Sequence, residues 1–401
     1  MHGSSAPRLT TPQAAAPEDR IAFFQSIGLV IFPLSLQDPG SCGILIQIIV
    51  NEKRRVKGGV LLARVVLGLS GGVDSAAAAI LLQEMGHEVH ALYMANGEGS
   101  PARAAACAEM LGLHFSVDDR TAAFQAQVIA PFFESYLRGE TPNPCILCNP
   151  AVKFRTLFDY ADAHGCDYVA TGHYARVIDG RLYQGKGRHD QSYMLYRLPG
   201  AWIRRCIFPL GEFEEKDQVR RVAAGRVPDR TSQAAASMEI CFIPEGRHPE
   251  FMESHGICPP PGDFVDDEGR VLGRHQGIHR YTVGMRKRLG IALGQRMYVR
   301  KIDPERNQVV LSPAVEPRAQ LLQLREECWY ELPEMGRTYG CRVRHSRRMG
   351  EAEVRAIGPD GVLLRVTPEA GIPAPGQSAV LYSGEKVVGG GIISGILHDN
   401  S

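Results

Sequence analysis

Cys145 and Cys148 stand three positions apart in TPNPCILCNP, residues 141–150. Such a pair supplies half a metal site, a redox disulfide or a sulfur nucleophile. Asn149 and Pro150 read as N-cap and first helical residue of the AVKFRTLFDYADAHG segment that follows. Cys148 is then expected at a helix N-terminus, where the helix dipole favours the thiolate. Prolines and capping residues flank it, rather than apolar periodicity. That separates it from Cys42, Cys107, Cys166, Cys206, Cys258, Cys328 and Cys341, each read as a small buried hydrophobe. Cys241, in MEICFIPEG, is the second candidate, although its apolar neighbours Ile240, Phe242 and Ile243 suit a structural cysteine by composition alone. No second CxxC or CxxH follows at matching spacing, which argues against a zinc module.

SGGVDS, Ser70 to Ser75, offers different chemistry. Gly71 and Gly72 let backbone N–H groups approach an anion, Ser70 and Ser75 add hydroxyls, and a following helix points its positive end at the same spot. No Gly-Lys-Ser/Thr follows, so this is not a Walker A loop. Asp74 is out of place beside phosphate unless a Mg²⁺ ion lies between them. The bland alternative is a turn capped by Asp74 or Ser75. Position decides between them, because open α/β sheets bind ligands at the carboxyl ends of their strands.

These residues need a frame. VLLARVVLGL, from Val60, reads as a buried strand ending near Leu69. AAAAILLQEM reads as a helix stopped by Gly86, and EVHALYM as the next strand, ending at Met94. Strand, Gly-rich turn, helix and strand open a parallel α/β sheet. CDYVATGHYAR, residues 166–176, reads as a later sheet strand, and KDQVRRVAAG as a charged amphipathic helix. Beyond about Gly246, PPPGDF is a linker-like turn. RMYVRKIDPERNQVVLSP, EAEVRAIGPDGVLLRVTPE and GQSAVLYSGEKVVGGGIIS then read as hairpins. The expected organisation is an extension over 1–59, an α/β domain over 60–246, a central domain over 247–313 and a small β-barrel or sandwich over 314–401.

Composition agrees. A chain of 401 residues exceeds one ordinary core, and 44% hydrophobic with 22% charged residues is ordinary for a globular protein. A formal net charge of +1 means that a nucleic-acid partner requires a local basic face. Ten cysteines without a secretory pattern fit reduced thiols in a cytosol. The longest aliphatic run, GILIQIIV at 43–50, is too short to span a bilayer. Glu18 and Asp19 argue against a transit peptide. Residues 1–59 carry no motif and are expected to be dispensable, the product of a start assigned too far upstream.

SGGVDS resembles the PP-loop of the ATP pyrophosphatases, which cleave ATP between its α and β phosphates and adenylate a substrate oxygen. The ordered set LGLSGGVDS, TPNPCILCN with VKF, DYVATGHYAR, DQSYMLYRL, FPLGE, EICFIPEG, LGRHQGIHRYTVGMRKRLGIA and PGQSAVLYSGEKVVGGGII resembles the tRNA-specific 2-thiouridylases over about residues 60–397. Residues 1–59 have no counterpart there. The resemblance implies a PP-loop domain on a parallel sheet, a small central domain and a C-terminal β-barrel. It also implies that ATP and Mg²⁺ adenylate the C2 oxygen of the tRNA wobble uridine, and that sulfur from a cysteine persulfide replaces it. Cys241 looks like the persulfide carrier and Cys148 the partner that attacks it, the two forming a transient disulfide. Gly68, Leu69, Ser70, Gly71, Gly72, Val73, Asp74 and Ser75, with Met94 and Gly172, look like the ATP site. Asn143, Pro144 and Cys145 fall where the flipped-out base is met. His189, Asp190 and Gln191 resemble a tRNA-contact segment, with His173 and Gln377 as single tRNA contacts. Ser346 and Arg347 fall where the family usually has Arg-Tyr. Arg342, Arg344 and Arg348 add cations for phosphates, with a solvated strand face as the alternative for Arg342. A cytoplasmic monomer away from membranes, fed by a cysteine desulfurase or sulfur-relay protein, completes the expectation.

The chain departs from the family pattern at several points. Cys145 stands where Asp is frequent and His189 where Lys is usual. Met285 and Arg288 replace the common Gln and Gly, QAAASME with Glu239 precedes Cys241, and ANGEGS follows Met94. Two rival readings follow. Another PP-loop ligase would explain SGGVDS but neither the paired cysteines nor the basic C-terminal barrel. A tRNA-binding protein with reduced activity is opposed by retention of Ser70–Ser75 with Cys148 and Cys241. Folding is expected to bring Cys241 towards Cys145 and Cys148. Three thiolates around one open position suit an iron–sulfur cluster. Plain thiol exchange, with Cys145 as a spectator, is the simpler and preferred expectation.

Overall fold

A computed structural model describes residues 63–228, 231, 240–243, 247–313 and 319–398. The 1–59 extension, Cys42 and the QAAASME stretch with Glu239 lie outside them. Strand β1 (Arg64–Gly68) buries Val65, Val66 and Leu67 completely, as a central parallel strand must when both faces are covered. The helix Val73–Glu84 covers it. Ala76 to Ala79 are all fully buried, and their small side chains let the helix lie close to the sheet. Gly86, at φ +84°, turns the chain into β2 (Glu88–Ala95).

After β2 come β3 (His114–Asp119), β4 (Tyr168–Ala170), the hairpin β5 (Ala175–Ile178) with β6 (Arg181–Gln184), and β7 (Cys206–Ile207). The parallel sheet has the order β3-β2-β1-β4-β7. Strand order reverses between β1 and β4, and ligand crevices form at such a point. The stretch 166–176 is therefore not one strand. It leaves the parallel sheet after Ala170, turns through Thr171–Tyr174 and enters a different sheet at β5. The turn follows a tertiary contact: Gly172 is pressed against the backbone of Asp74 and Ser75.

The central segment forms β8 (Gly262–Val265), β9 (Val271–His275), β10 (Tyr298–Asp303) and β11 (Gln308–Ser312) in the order β10-β11-β8-β9, around Phe264, Val299, Val309 and Leu311. The C-terminal strands are β12 (Gln320–Trp329), β13 (Thr338–Arg342), β14 (Gly350–Gly358), β15 (Gly361–Val366), β16 (Ser378–Ser383) and β17 (Lys386–His398). Antiparallel pairing of β12 with β17 closes six of them into a barrel. The three expected hairpins are β10–β11, β14–β15 and β16–β17. Several bonds fasten the barrel to the parallel-sheet region. β6 adds to β17 at Tyr183↔Lys386, and Tyr193 Oη donates to the Ser378 carbonyl at 2.9 Å.

Candidate active site

The phosphate loop is pinned by its own serines. Ser75 Oγ donates to the Gly72 carbonyl at 3.0 Å and accepts from the Ser70 amide at 3.2 Å, while the Gly72 amide reaches Ser70 Oγ at 3.3 Å. Gly71 sits at φ +76°, and a Cβ there would come within 2.7 Å of the Ala104 amide nitrogen. Only glycine fits that close approach. A Cβ on Gly172 would lie 2.8 Å from the Asp74 carbonyl carbon, so the end of β4 walls the other side of the loop. The result is a cradle at the N-terminus of a twelve-residue helix whose first N–H groups have no intrahelical partners.

Asp74 is doubly held. Tyr174 Oη donates to its Oδ1 at 2.8 Å, and Lys216 Nζ lies 3.2 Å from its Oδ2. Burial first, and then the neighbouring Asp74 charge, raise the Tyr174 pKa, so its hydroxyl stays a donor. Asp74 is the loop's own carboxylate and keeps further lone pairs, a donor set that fits a hard cation shared with phosphate oxygens. Tyr174 and Lys216 were missed as site residues in the sequence. Their only signals were GHYAR, read as strand, and the start of KDQVRR, read as a surface helix.

The thiol segment differs from expectation. The helix begins a turn early, with Asn143 as N-cap and Pro144 as its first residue, and Cys148 closes its short α-helical part, Pro144–Cys148. It continues through a π-helical turn, Asn149–Lys153, into the helix Phe154–His164. Pro150 has no N–H, and its ring would clash with the carbonyl four residues back; the wider turn accommodates both. Asn149 caps nothing. It is buried, and its amide donates to the Met194 carbonyl at 2.9 Å. Cys145, not Cys148, lies in the first helical turn, so the expected dipole-favoured thiolate at Cys148 is overturned. Burial pushes the Cys145 thiol up to about 11 and raises Cys148 as well, with Lys153 opposing both shifts.

Cys241 is exposed, yet the protein around its thiol still raises its pKa. Lys153 opposes that shift, and Glu98 adds to it. Its neighbours anchor it. Phe242 and Ile243 are buried in the same apolar cluster as Cys148 and Val152, with Met94 packed at the margin. The Phe242 ring meets Phe132 edge-on at 5.5 Å and Phe124 at 5.6 Å. Through these neighbours the Cys241 segment packs on the cluster that holds Cys148. All cysteines among the described residues are free, and no group of three His, Cys, Asp or Glu among them could hold a metal ion. Cys107, Cys166, Cys206 and Cys341 are buried as expected, Cys328 is half-buried, and Cys258 is exposed, which corrects its reading as a core residue.

The expected tRNA contacts divide into surface and scaffold. Asp190 is buried. It accepts from the Gly185 amide at 2.8 Å and the Ser192 amide at 3.1 Å, and it pairs with Arg342. Gln191 accepts from the Tyr174 amide at 3.0 Å, and buried Gln377 donates to the Thr141 carbonyl at 2.9 Å. Arg342 is neither a solvated strand residue nor a free phosphate ligand, because Asp190 holds it inside. Arg344 donates to the carbonyls of Ile372 and Val283, tying the barrel to the central segment. These bonds brace the surface from beneath. Ser346, Arg347 and Arg348 are exposed. Burial lowers the His189 pKa, with Lys216, Arg188 and Arg347 next, so a basic group from three segments gathers near Asp74. Half-buried His173 lies 2.7 Å from Thr171 Oγ1 and stacks on Phe154, and burial holds it well below its ordinary pKa.

Residues 63–245 match the tRNA methyl transferase HUP domain, 250–313 the tRNA methyl transferase PRC-barrel domain, and 320–393 the aminomethyltransferase beta-barrel domain. Fold and site together define a HUP-domain protein with two appended β domains. The tRNA-specific 2-thiouridylase MnmA 3 of Bacteroides fragilis is 39% identical over 347 residues, covering 82% of this chain and 94% of that protein. The tRNA-specific 2-thiouridylase MnmA of Desulforudis audaxviator is 40% identical over 343 residues, covering 83% and 99%. That of Gluconobacter oxydans is 36% identical over 362 residues, covering 82% and 99%. The chain belongs to the tRNA-specific 2-thiouridylase family.

Proposed function

We propose that the chain is a tRNA-uridine 2-sulfurtransferase that uses ATP to replace the C2 oxygen of the wobble uridine with sulfur. The observation that carries this reading is that one chain holds both a phosphate cradle, Ser70–Ser75, and an apolar cluster in which Cys148 packs with Phe242 and Ile243, the neighbours of Cys241. Methyl transfer would leave both features unused.

The C2 carbonyl of uracil is a poor electrophile with an impossible leaving group. Attack of the C2 oxygen on the α-phosphorus of ATP expels pyrophosphate and makes that oxygen part of AMP, a competent leaving group. Mg²⁺ bound at Asp74 would neutralise phosphate charge during this step. Ser70, Gly72 and the amides opening the helix Val73–Glu84 orient the phosphates. The terminal sulfur of a Cys241 persulfide then attacks C2. The Cys148 thiolate attacks Cys241 Sγ and breaks the S–S bond, and the released electron pair stays on the sulfur at C2. That sulfur becomes the thiocarbonyl as AMP departs. A Cys148–Cys241 disulfide remains for an external thiol to reduce, and a persulfide donor recharges Cys241.

Asn143, Pro144 and Cys145 would receive the target base, and His173, Asp190, Gln191 and Gln377 would contact the tRNA. Arg347, Arg348, Ser346 and His189 supply phosphate contacts. Among the described residues no helix is long and apolar enough to cross a membrane. The test is pyrophosphate release from ATP. It should require tRNA with a wobble uridine; release without tRNA, or with a free amino acid in its place, would favour a different ligase.

A further inference from the structure

Lys153 ends the π turn that starts immediately after Cys148. It is half-buried, and among the described residues no carboxylate lies within ion-pair distance of its ammonium. Val152, beside it, packs in the same apolar cluster as Cys148 and the Cys241 neighbours Phe242 and Ile243. The Lys153 backbone N–H reaches the Cys148 thiol, and its charge acts on Cys145, Cys148 and Cys241. The same charge disfavours protonation of His173, next to the wall of the phosphate loop. The other charged group acting on these thiols is Glu98, which faces Cys241 from the end of β2 and works in the opposite sense.

Burial alone would leave these thiols protonated and unreactive, since a desolvated thiolate is disfavoured. A half-buried ammonium with no carboxylate partner among the described residues is well placed to receive an anion that forms during turnover. We propose that Lys153 is the fixed counter-ion of the Cys145–Cys148–Cys241 centre, a positioning residue that stabilises whichever sulfur is anionic during transfer. A lysine suits this role because its ammonium is a compact point charge that can follow an anion from one sulfur to the next; a guanidinium would demand planar geometry. The proposal deepens the sulfurtransferase reading and rests on it for its biological meaning, but its test needs neither tRNA nor ATP.

The test is the pH profile of iodoacetamide alkylation at Cys148 and Cys241, resolved by peptide mass spectrometry on the full chain. Lys153→Met should slow alkylation of both thiols about tenfold near pH 7.5 and move both profiles up by about one pH unit. Lys153→Arg should recover most of the wild-type profile, because the charge is restored. If the Met variant does not fold, Lys153→Gln, which keeps a polar stem, carries the same expectation. Wild-type profiles in a folded, neutral variant would overturn the proposal. So would a shift in the Arg variant as large as in the neutral one, since charge would then not be the cause. A chain that thiolates no tRNA yet shows these shifts would refute the proposed function and leave the Lys153 assignment standing.

Discussion

Tyr174 Oη donates to Asp74 Oδ1 at 2.8 Å, across a crevice whose two walls are 100 residues apart in the chain. This bond fixes the loop carboxylate from the β4 side, while Lys216 holds its second oxygen. Tyr174→Phe removes one hydrogen bond to a charged group, a cost of about 1.5–3 kcal/mol. Adenylation, measured as tRNA-dependent pyrophosphate release, should fall by roughly one to two orders of magnitude, with tRNA affinity little changed. Asp74→Asn and Ser75→Ala should act in the same direction. Loss of tRNA binding in a folded variant would contradict this division of labour.

Cys148→Ser and Cys241→Ser should each abolish 2-thiolation while sparing adenylation, because neither thiol belongs to the phosphate cradle. Trapped adenylated tRNA, or AMP release without thiouridine, is the expected signature. Near-normal thiouridine from Cys241→Ser would remove it from the sulfur path.

Cys145→Asp should be tolerated, and protein freed of iron by chelation should keep its activity. The proposed sulfur transfer uses only Cys148 and Cys241, and the described residues include no three-ligand metal group. Brown, anaerobically purified protein whose iron and activity vanish together in Cys145→Ser would contradict this.

Asp190 and Arg342 form a buried pair, with Asp190 also bonded to two backbone amides. Arg342→Met should cost about 3–5 kcal/mol of stability, since it strands a buried carboxylate. Chemical denaturation reads this directly. An intact midpoint with weakened tRNA binding would restore Arg342 to the role of phosphate ligand.

Stability should fall on acidification from about pH 6.5. The fold holds His173 neutral well below its ordinary value, and His248, stacked on Tyr136, is pushed down to about 4, both by burial. Below 6.5 the unfolded chain binds protons that the folded chain refuses, so each such histidine contributes stability at neutral pH that is lost as pH falls towards its folded value. His248→Gln should flatten the decline in Tm between pH 6.5 and 4. An unchanged slope would show that His248 does not carry the proton linkage.

Much of this was legible in the sequence, and the misses have physical causes. β1, β2 and the helix between them follow from continuous apolar runs and a Gly-rich turn, and the C-terminal hairpins from turn chemistry such as Pro359-Asp360-Gly361. The helix start at Asn143 was misplaced because two Asn-Pro pairs, Asn143-Pro144 and Asn149-Pro150, each offer a valid N-cap. A π turn that absorbs the second proline leaves no periodic mark. The break of 166–176 between two sheets depends on Gly172 packing against Asp74, a contact of high sequence separation. Asp190, Gln191 and Gln377 look like surface polar residues until their partners across the barrel junction are in place. Lys216 and Tyr174 converge on Asp74 only through tertiary folding, so neither could be singled out from spacing.

Nucleoside mass spectrometry of tRNA incubated with the protein, ATP, Mg²⁺ and a persulfide donor tests the central claim most directly. The account predicts 2-thiouridine at the wobble position, formed only with ATP and absent with Cys241→Ser. Thiouridine formed without ATP, or at an equal rate by Cys241→Ser, would contradict it.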